Sequence, residues 1–515
     1  MSLVHQGVLR DAFAEVSHFR SELYACLTAR GDALFELCDA LLCTDGPVRT
    51  LVDLALAPEH RRGHGALYGG LNQGRIDVAR LRRALAGVSL PRAADGRLVL
   101  AVDVSPWLRA DANTCADRAF CHTFGRGEGK HQMVPGWPYS VVAALEAGRT
   151  SWTAVLDAVR LEPGADVAAV TTAQIREVVE RLVAAGQWKP GDPEVLVVLD
   201  AGYDAPRIAH LLAGLPVEIL GRLRSDRVMR RPTPSRAEFH LANPKGGRPP
   251  KHGGEFVFGD PATWGTEQAV TVTDTRLYGK ATAQAWDRLH PRLTHRAAWL
   301  DHAGPLPIIE GTLIRLAVQR LPSGGVNKPV WLWWSRTGAT EADVDRCWQS
   351  FLRRFDIEHT FRLFKQTLGW TKPRLRSSEA ADRWTWLVIA AYAQLRLARP
   401  LAADLRRPWE ADRGEQTDTR PRPQRVQEPV HEGRLTRRCT ETLPSRSRAA
   451  TGFEKPPLRH PPRRGQSPRH RRGVQPTRPP QGRHKTTPNW LNDKPTGCSL
   501  SARVVDPLRT GSWIG

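Results

Sequence analysis

Residues 97–104 read RLVLAVDV, and the reading of this stretch decides the fold. A short apolar run with polar neighbours predicts a buried β-strand. Asp103 lies inside that run, where a carboxylate is costly unless it is paired or holds a cation. A second run, EVLVVLD (194–200), is also strand-like and ends on Asp200. WPYSVVAALE (137–146) and SWTAVLDAVRL (151–161) lie between them, joined through the turn-forming AGRT. Three strands with short links predict an antiparallel meander.

The next segment, VTTAQIREVVERLVAAGQW, has a helical period. Ile175, Val178, Val179, Leu182 and Val183 mark one face, Thr171 with Gln174 resembles a capping box, and Gly186 suits the C-terminal stop. DAPRIAHLLAG reads as a short helix and VEILGRL (217–223) as another strand. The order β-β-β-α-β-α-β is that of an α/β fold, a mixed sheet with covering helices.

Outward from this centre the pattern changes twice. Residues 1–92 are helical in period, through Leu9, Phe13, Val16 and Leu23, with Arg61, Arg62, Arg75, Arg82 and Arg83 scattered among them. Such a segment is either a DNA-binding helical domain or a plain helical scaffold. On the other side, residues 93–224 form the first part of the core and 225–335 a β-rich insertion. Pro, Gly and basic residues dominate 231–253, and the strand-like EFVFG, EQAVTVTDT, LIRLAVQRL and PVWLWWS follow. Residues 336–405 return to helix. Thr340 and Asp343 suit a cap, Val344, Trp348, Phe351 and Phe355 give an apolar side, and a mostly apolar helix ends before Pro400. From 406 to 515 apolar periodicity is lost. The segment from 411 onward holds 15 of the 40 prolines, and its arbitrary RR, RH and PP pairs resemble a shifted reading frame. A disordered Arg/Pro-rich tail is the expectation.

The chain of 515 residues carries a formal charge of +22. The segment from 411 on contributes 22 Lys and Arg against 9 Asp and Glu, which leaves a body of net +9. A polyanionic partner, DNA or RNA, follows from that balance. The eight cysteines show no paired spacing, so reduced thiols are expected. No basic region followed by an apolar core opens the chain, and no run of about 18 apolar residues is present. These features predict a soluble cytoplasmic protein with no membrane span.

The stretch FLRRFDIEHTFRLFK (351–365) places Phe351, Arg354, Glu358 and Lys365 on one stripe of a helix. Glu358 is the lone carboxylate of that stripe, since Asp356 lies about 200° round the helix. Asp103 and Asp200 on adjacent strands, with Glu358 on a helix packed over them, would make an oxygen-ligand site. Three carboxylates with open positions suit Mg²⁺ or Mn²⁺. Two such ions about 4 Å apart activate a water or a 3′-hydroxyl against a phosphodiester. Asp157 and Asp204 are rivals by the same logic.

The run Phe351-x2-Arg354-x3-Glu358-x6-Lys365 resembles the Tyr-Arg-Glu-Lys signature of bacterial insertion-sequence DDE transposases, with Phe in place of Tyr at 351. Asp103 in AVDVS and Asp200 in VLDAGYD stand where the two strand aspartates of that family belong. The interval from Asp200 to Glu358 leaves room for the β-rich insertion that one branch carries. The resemblance covers about 95–400. It implies an RNase H-like core, with Asp103, Asp200 and Glu358 as catalytic metal ligands. It also implies Mg²⁺-dependent (or Mn²⁺-dependent) cleavage at transposon ends and strand transfer into target DNA. Arg354, Arg362 and Lys365 would meet DNA phosphates.

Two further segments bear on DNA. KGGRPPKHGG (245–254) resembles the Gly-Arg-Pro core of minor-groove hooks, centred on Arg248, although a flexible surface loop explains it as well. In PVWLWWS, Trp333 is a candidate stacking platform for an unpaired base, against core packing as the alternative. Strand alternation puts Trp331 and Trp333 on one face and Trp334 on the other, which predicts at least one exposed ring. The expected protein is therefore a nucleoid-associated bacterial transposase acting on double-stranded DNA as a homodimer. The rivals are a nuclease of the same core without strand transfer, and an inactive DNA-binding relative.

Overall fold

The computed structural model describes residues 3–402, apart from 116, 125–130, 149, 277, 301 and 322–326. The predicted tail, 406–515, lies outside the described residues.

The chain opens with helices α1 (Leu3–Cys26), α2 (Gly31–Cys43), α3 (Leu51–Leu54), α4 (His64–Gln73) and α5 (Val78–Gly87), and short strands β1 (Leu27–Ala29) and β2 (Arg75–Ile76) pair among them. The core strands are β3 (Val99–Leu108), β4 (Ala119–Phe124), β5 (His131–Leu145), β6 (Thr153–Arg160), β7 (Val195–Leu199) and β8 (Val217–Leu223). Helix α6 (Val167–Ala184) links β6 to β7, and α7 (Ala205–Leu211) links β7 to β8. A small hairpin follows, β9 (Val228–Arg230) with β10 (Glu255–Val257), and α8 (Arg236–Ala242) lies in its loop. Four strands come next: β11 (Ala269–Thr275), β12 (Gly279–Leu289), β13 (Gly311–Val318) and β14 (Val330–Trp334). Helices α9 (Glu341–Arg353), α10 (Phe355–Gln366) and α11 (Ser378–Leu397) complete the described chain.

One sheet of ten strands organises the molecule. Its order is β11-β12-β13-β14-β8-β7-β3-β5-β4, with β6 also on β5. Strands β3, β5 and β6 are antiparallel neighbours, while β7 and β8 run parallel to β3. The order β6-β5-β3-β7-β8 with these directions is an RNase H-like sheet. Within it, the expected meander is present, and β4 is an addition that the sequence reading missed. The segment 225–335 builds four further strands that do not stand apart. Strand β14 pairs antiparallel with β8, so they extend the same sheet. Strand β12 was missed because its KATAQA carries small side chains in place of large apolar ones.

Alternation along β3 splits the core into two layers. Val99 and Ala101 face a layer with Ile357, Phe361, Phe364 and Leu387 from the C-terminal helices. Leu100 and Val102 face the opposite layer, with Ile175, Val178 and Val179 of α6 and Ile208 of α7. The N-terminal helices join the first layer through Leu34, Leu37 and Leu41. Arg20 of α1 fixes them there, donating to Gln394 of α11 and to Asp39 of α2 at 2.7 Å each.

Two local expectations are corrected. Thr171 and Gln174 do not cap α6; that helix begins a turn earlier, where Asp166 accepts from the amides of Ala168 and Ala169. Gly186 does end it, with φ of 70° and its amide bonded to the Val183 carbonyl. The long helix after Thr340 is interrupted for one residue at Arg354, although the Thr340–Asp343 capping box is present as expected. Among the described residues, no helix is long and apolar enough to cross a membrane.

Candidate active site

The register of β3 on β7 assembles the first two acids. Val102 of β3 is level with Leu199 of β7, so the next positions, Asp103 and Asp200, stand side by side where the parallel pairing of β3 and β7 ends. Asp103 keeps the parity of Val99 and Ala101, and Asp200 that of Leu196 and Val198, so both belong to the layer of α9–α11. The turn after Asp200 is held by α7. Asp204 caps that helix by accepting from the amide of Arg207. Gly221 of β8 allows the close approach, since a Cβ there would stand 2.3 Å from the Ala205 Cβ.

Helix α10 supplies the rest. Arg354, at the break before it, donates from Nη1 to Asp103 Oδ2 at 2.9 Å, and its Nη2 lies 3.5 Å from Asp200 Oδ2. Arg354 was expected to meet DNA phosphate near the cleaved bond. It is 3% exposed and sits between the two strand acids, and that burial in the free protein is compatible with the role only if the side chain moves. Asp200 has a second, looser cation in Arg222 at 3.7 Å, and its Oδ1 is buried with no hydrogen-bond partner. Glu358, one turn into α10, is exposed and close enough to Asp103 to share a hydrogen bond and repel its charge.

The electrostatics report the crowding. Burial pushes the Asp103 carboxyl up to about 7; Arg354 opposes the rise, while Glu358 and Asp200 add to it. For Arg354, burial works against the charge, but Asp200, Asp103 and Glu358 together hold its pKa above the ordinary value. Burial pulls Lys365 below its ordinary range, against the attraction of Glu358 and Asp103, and its Nζ lies 5.8 Å from the centre of the Trp370 ring. Arg362 is half-buried, with Nη1 lacking a hydrogen-bond partner. The stripe of the sequence reading therefore converges on the two strand acids. Among the described residues, no three His, Cys, Asp or Glu side chains already stand as a ready-made metal cage.

Two neighbours escaped the sequence reading. Phe355 is 47% exposed and stacks on Arg354, whose Cζ is 5.3 Å from its ring centre. It is three residues before Glu358 and so shares that face of the helix. Tyr203 is buried beside Asp103, and burial first, then the Asp103 charge, raises its hydroxyl well above its ordinary pKa. The sequence pattern places Phe355 on the apolar side of the long helix and gives Tyr203 no role.

Other candidates lie elsewhere. Trp333 is corrected: it is fully buried, its indole donates to the Leu289 carbonyl at 3.1 Å, and it cannot stack on a base. Trp331 and Trp334 are 3% and 4% exposed, because β14 is a central strand covered on both faces. Arg248 is exposed on the loop between β9 and β10, where Gly246 and Gly247 take φ of 76° and 125°. The rival Asp157 is completely buried and ion-paired with Arg82 at 2.9 Å and with Arg181.

A model of DDE superfamily endonucleases matches residues 22–292. The chain belongs to this family. A comparison with curated proteins finds no match. The DDE endonuclease match contains Asp103 and Asp200 and stops before Glu358. A DDE endonuclease is a phosphoryl-transfer enzyme that acts on DNA with divalent metal ions.

The residues at the strand ends suit such ions. All three acids offer hard oxygen donors, and Asp200 Oδ1, which accepts no hydrogen bond among the described residues, has only Arg222 at 3.7 Å to answer its charge.

Proposed function

We propose that this DDE endonuclease is the transposase of an insertion sequence, which cuts DNA at transposon ends and joins the freed strand to target DNA. One observation carries the proposal. Asp103 and Asp200 meet where the pairing of adjacent parallel strands ends, under Arg354 and the helix that carries Glu358 and Lys365 at the signature spacing. Asp103, Asp200 and Glu358 would hold Mg²⁺ or Mn²⁺. Bound there, such ions lower the pKa of a water or 3′-hydroxyl and balance the charge on the leaving oxygen.

The remaining residues act on the DNA. Lys365 and Arg362 face the acids from α10 and offer donors to phosphate oxygens. Phe355 offers an exposed ring for a base displaced near the cut. Residues 1–92 and the loop carrying Arg248 extend the contact along the duplex, and two copies serve the two ends. A second reading, an endonuclease without strand transfer, is favoured by the family match alone.

Incubation of the protein with Mg²⁺ and DNA bearing its flanking inverted repeats tests the proposal. Cleaved and joined products are expected. Cleavage without joining overturns the transposase in favour of the nuclease. A mobility shift without cleavage leaves only a DNA-binding relative.

A further inference from the structure

The carboxylate cluster already contains a cation, and that cation is a side chain. Arg354 spans Asp103 and Asp200, at 2.9 and 3.5 Å, from a position 3% exposed. Its anchoring differs from that of a structural arginine. Arg109, also buried, uses Nε and Nη2 on Asp111 and Nη1 on the Leu375 carbonyl, so all three nitrogens are engaged. Arg354 Nε is buried with no hydrogen-bond partner. Its guanidinium is held by the two acids and backed by two rings, Phe351 at 5.9 Å and Phe355 at 5.3 Å. Phe351 is buried, whereas Phe355 reaches solvent, so the guanidinium has a ring on its inner side and a ring that leads to the surface. The residue also sits at the one-residue break between α9 and α10, where neither helix commits it to its interior.

We propose that Arg354 is a placeholder for the metal. It fills the cation position between Asp103 and Asp200 in the metal-free protein, and it withdraws along the Phe355 ring when a divalent ion enters. The proposal rests on the reading of Asp103, Asp200 and Glu358 as metal ligands. Its physical basis is charge. Two acids fixed side by side on neighbouring strands repel each other without a counter-ion between them, and Arg222, at 3.7 Å, reaches only the Oδ1 of Asp200. A guanidinium and a divalent ion cannot share the space between the same oxygens, so metal binding must first break both ion pairs. The metal affinity of the free protein is lowered by that cost. A DNA phosphate gives the displaced guanidinium a new partner, so DNA and metal strengthen each other's binding.

Mn²⁺ binding to the full chain, followed through the electron paramagnetic signal of the free ion, tests this without any turnover. Arg354→Gln is expected to bind Mn²⁺ about tenfold more tightly than the parent, within the range of ordinary coupling energies. A duplex of the terminal repeat, with phosphorothioate at the cut, should tighten Mn²⁺ binding to the parent and leave Arg354→Gln unchanged. Equal or weaker binding by Arg354→Gln overturns the placeholder. If that variant is unfolded without metal, Mn²⁺ should restore its circular dichroism, and failure to do so also overturns the proposal. Asp103→Asn separates the two levels of the argument. If it binds Mn²⁺ as the parent does, the ligand assignment itself falls and the placeholder with it. If it loses Mn²⁺ while Arg354→Gln shows no gain, only the placeholder falls.

Discussion

Asp157 and Asp103 are both acids within strands of one sheet, the first fully buried and the second partly so, and the cations around them differ. Asp157, on β6, faces two arginines, Arg82 of α5 at 2.9 Å and Arg181 of α6. Burial pushes its carboxyl up, and both arginines push back. The result ties an N-terminal helix to the core sheet. Asp103 and Asp200 share one buried arginine, Arg354, and the other cations stand further off: Arg222 is 3.7 Å from Asp200, and Lys365 is drawn by both Glu358 and Asp103. A strand acid answered by two cations is a clamp. A group of acids whose cations are shared or held at a distance is the proposed opening for a cation from outside.

The comparison breaks most sharply under substitution. Asp200→Asn removes a proposed metal ligand and a repelling charge together. Cleavage should fall by about a thousandfold or more, the equivalent of several kcal/mol of charge stabilisation, while the melting temperature holds. Normal cleavage by this variant in a gel assay would return Asp200 to the structural class. Asp157→Ala should do the reverse. It leaves Arg82 and Arg181 with only the more exposed Glu177, at 3.7 and 3.5 Å, at a cost of about 3 kcal/mol in a denaturant titration. The fraction that stays folded should still cut DNA.

Asp356 sharpens the contrast as an intermediate case. It has one arginine, Arg353 at 3.0 Å, and burial still pushes its carboxyl up to about 7. A raised pKa in the folded state means that the folded chain favours the protonated acid. Its contribution to stability is therefore full below about pH 4, the unfolded value, and is lost as pH rises through about 7. Asp356→Asn should match the parent in melting temperature near pH 4 and exceed it at pH 8. A constant difference across that window would show that Arg353 fully answers the charge.

The smallest effect belongs to the converse case, a cation without an acid. Arg248 is exposed and makes no ion pair among the described residues. Arg248→Ala should weaken DNA binding evenly across sequences and reduce the salt slope of log affinity by about 1. A loss confined to A·T-rich sites would instead assign it to the minor groove.

The same comparison explains what the sequence could reveal. Asp103 and Asp200 were legible because each interrupts or ends an apolar run, and parallel pairing then sets them level. Asp157 gives the same local signal, and only its partners, Arg82 and Arg181, separate it from them; those come from distant helices. Arg354 looked like a surface cation, because helical spacing says which residues share a face and not what that face meets. The tryptophans of β14 were misjudged for a related reason. Alternation correctly put Trp333 and Trp334 on opposite faces, but the strand is central, and both faces are covered. The start of α6 was misplaced because Thr171 and Gln174 imitate a cap within a helix already begun by Asp166.

The register that sets Asp103 beside Asp200 also has a consequence for synthesis. Side chains alternate along a strand, so a slip of one residue between β3 and β7 would send Asp103 to the other layer, away from Glu358. The acids are also far apart in the order of translation, and the last of them lies on α10 (Phe355–Gln366). No part of the chain shorter than this can bring the three together. If these three acids do the cutting, a growing chain on the ribosome cannot act on DNA until nearly the whole described protein has emerged and its sheet has closed in the correct register.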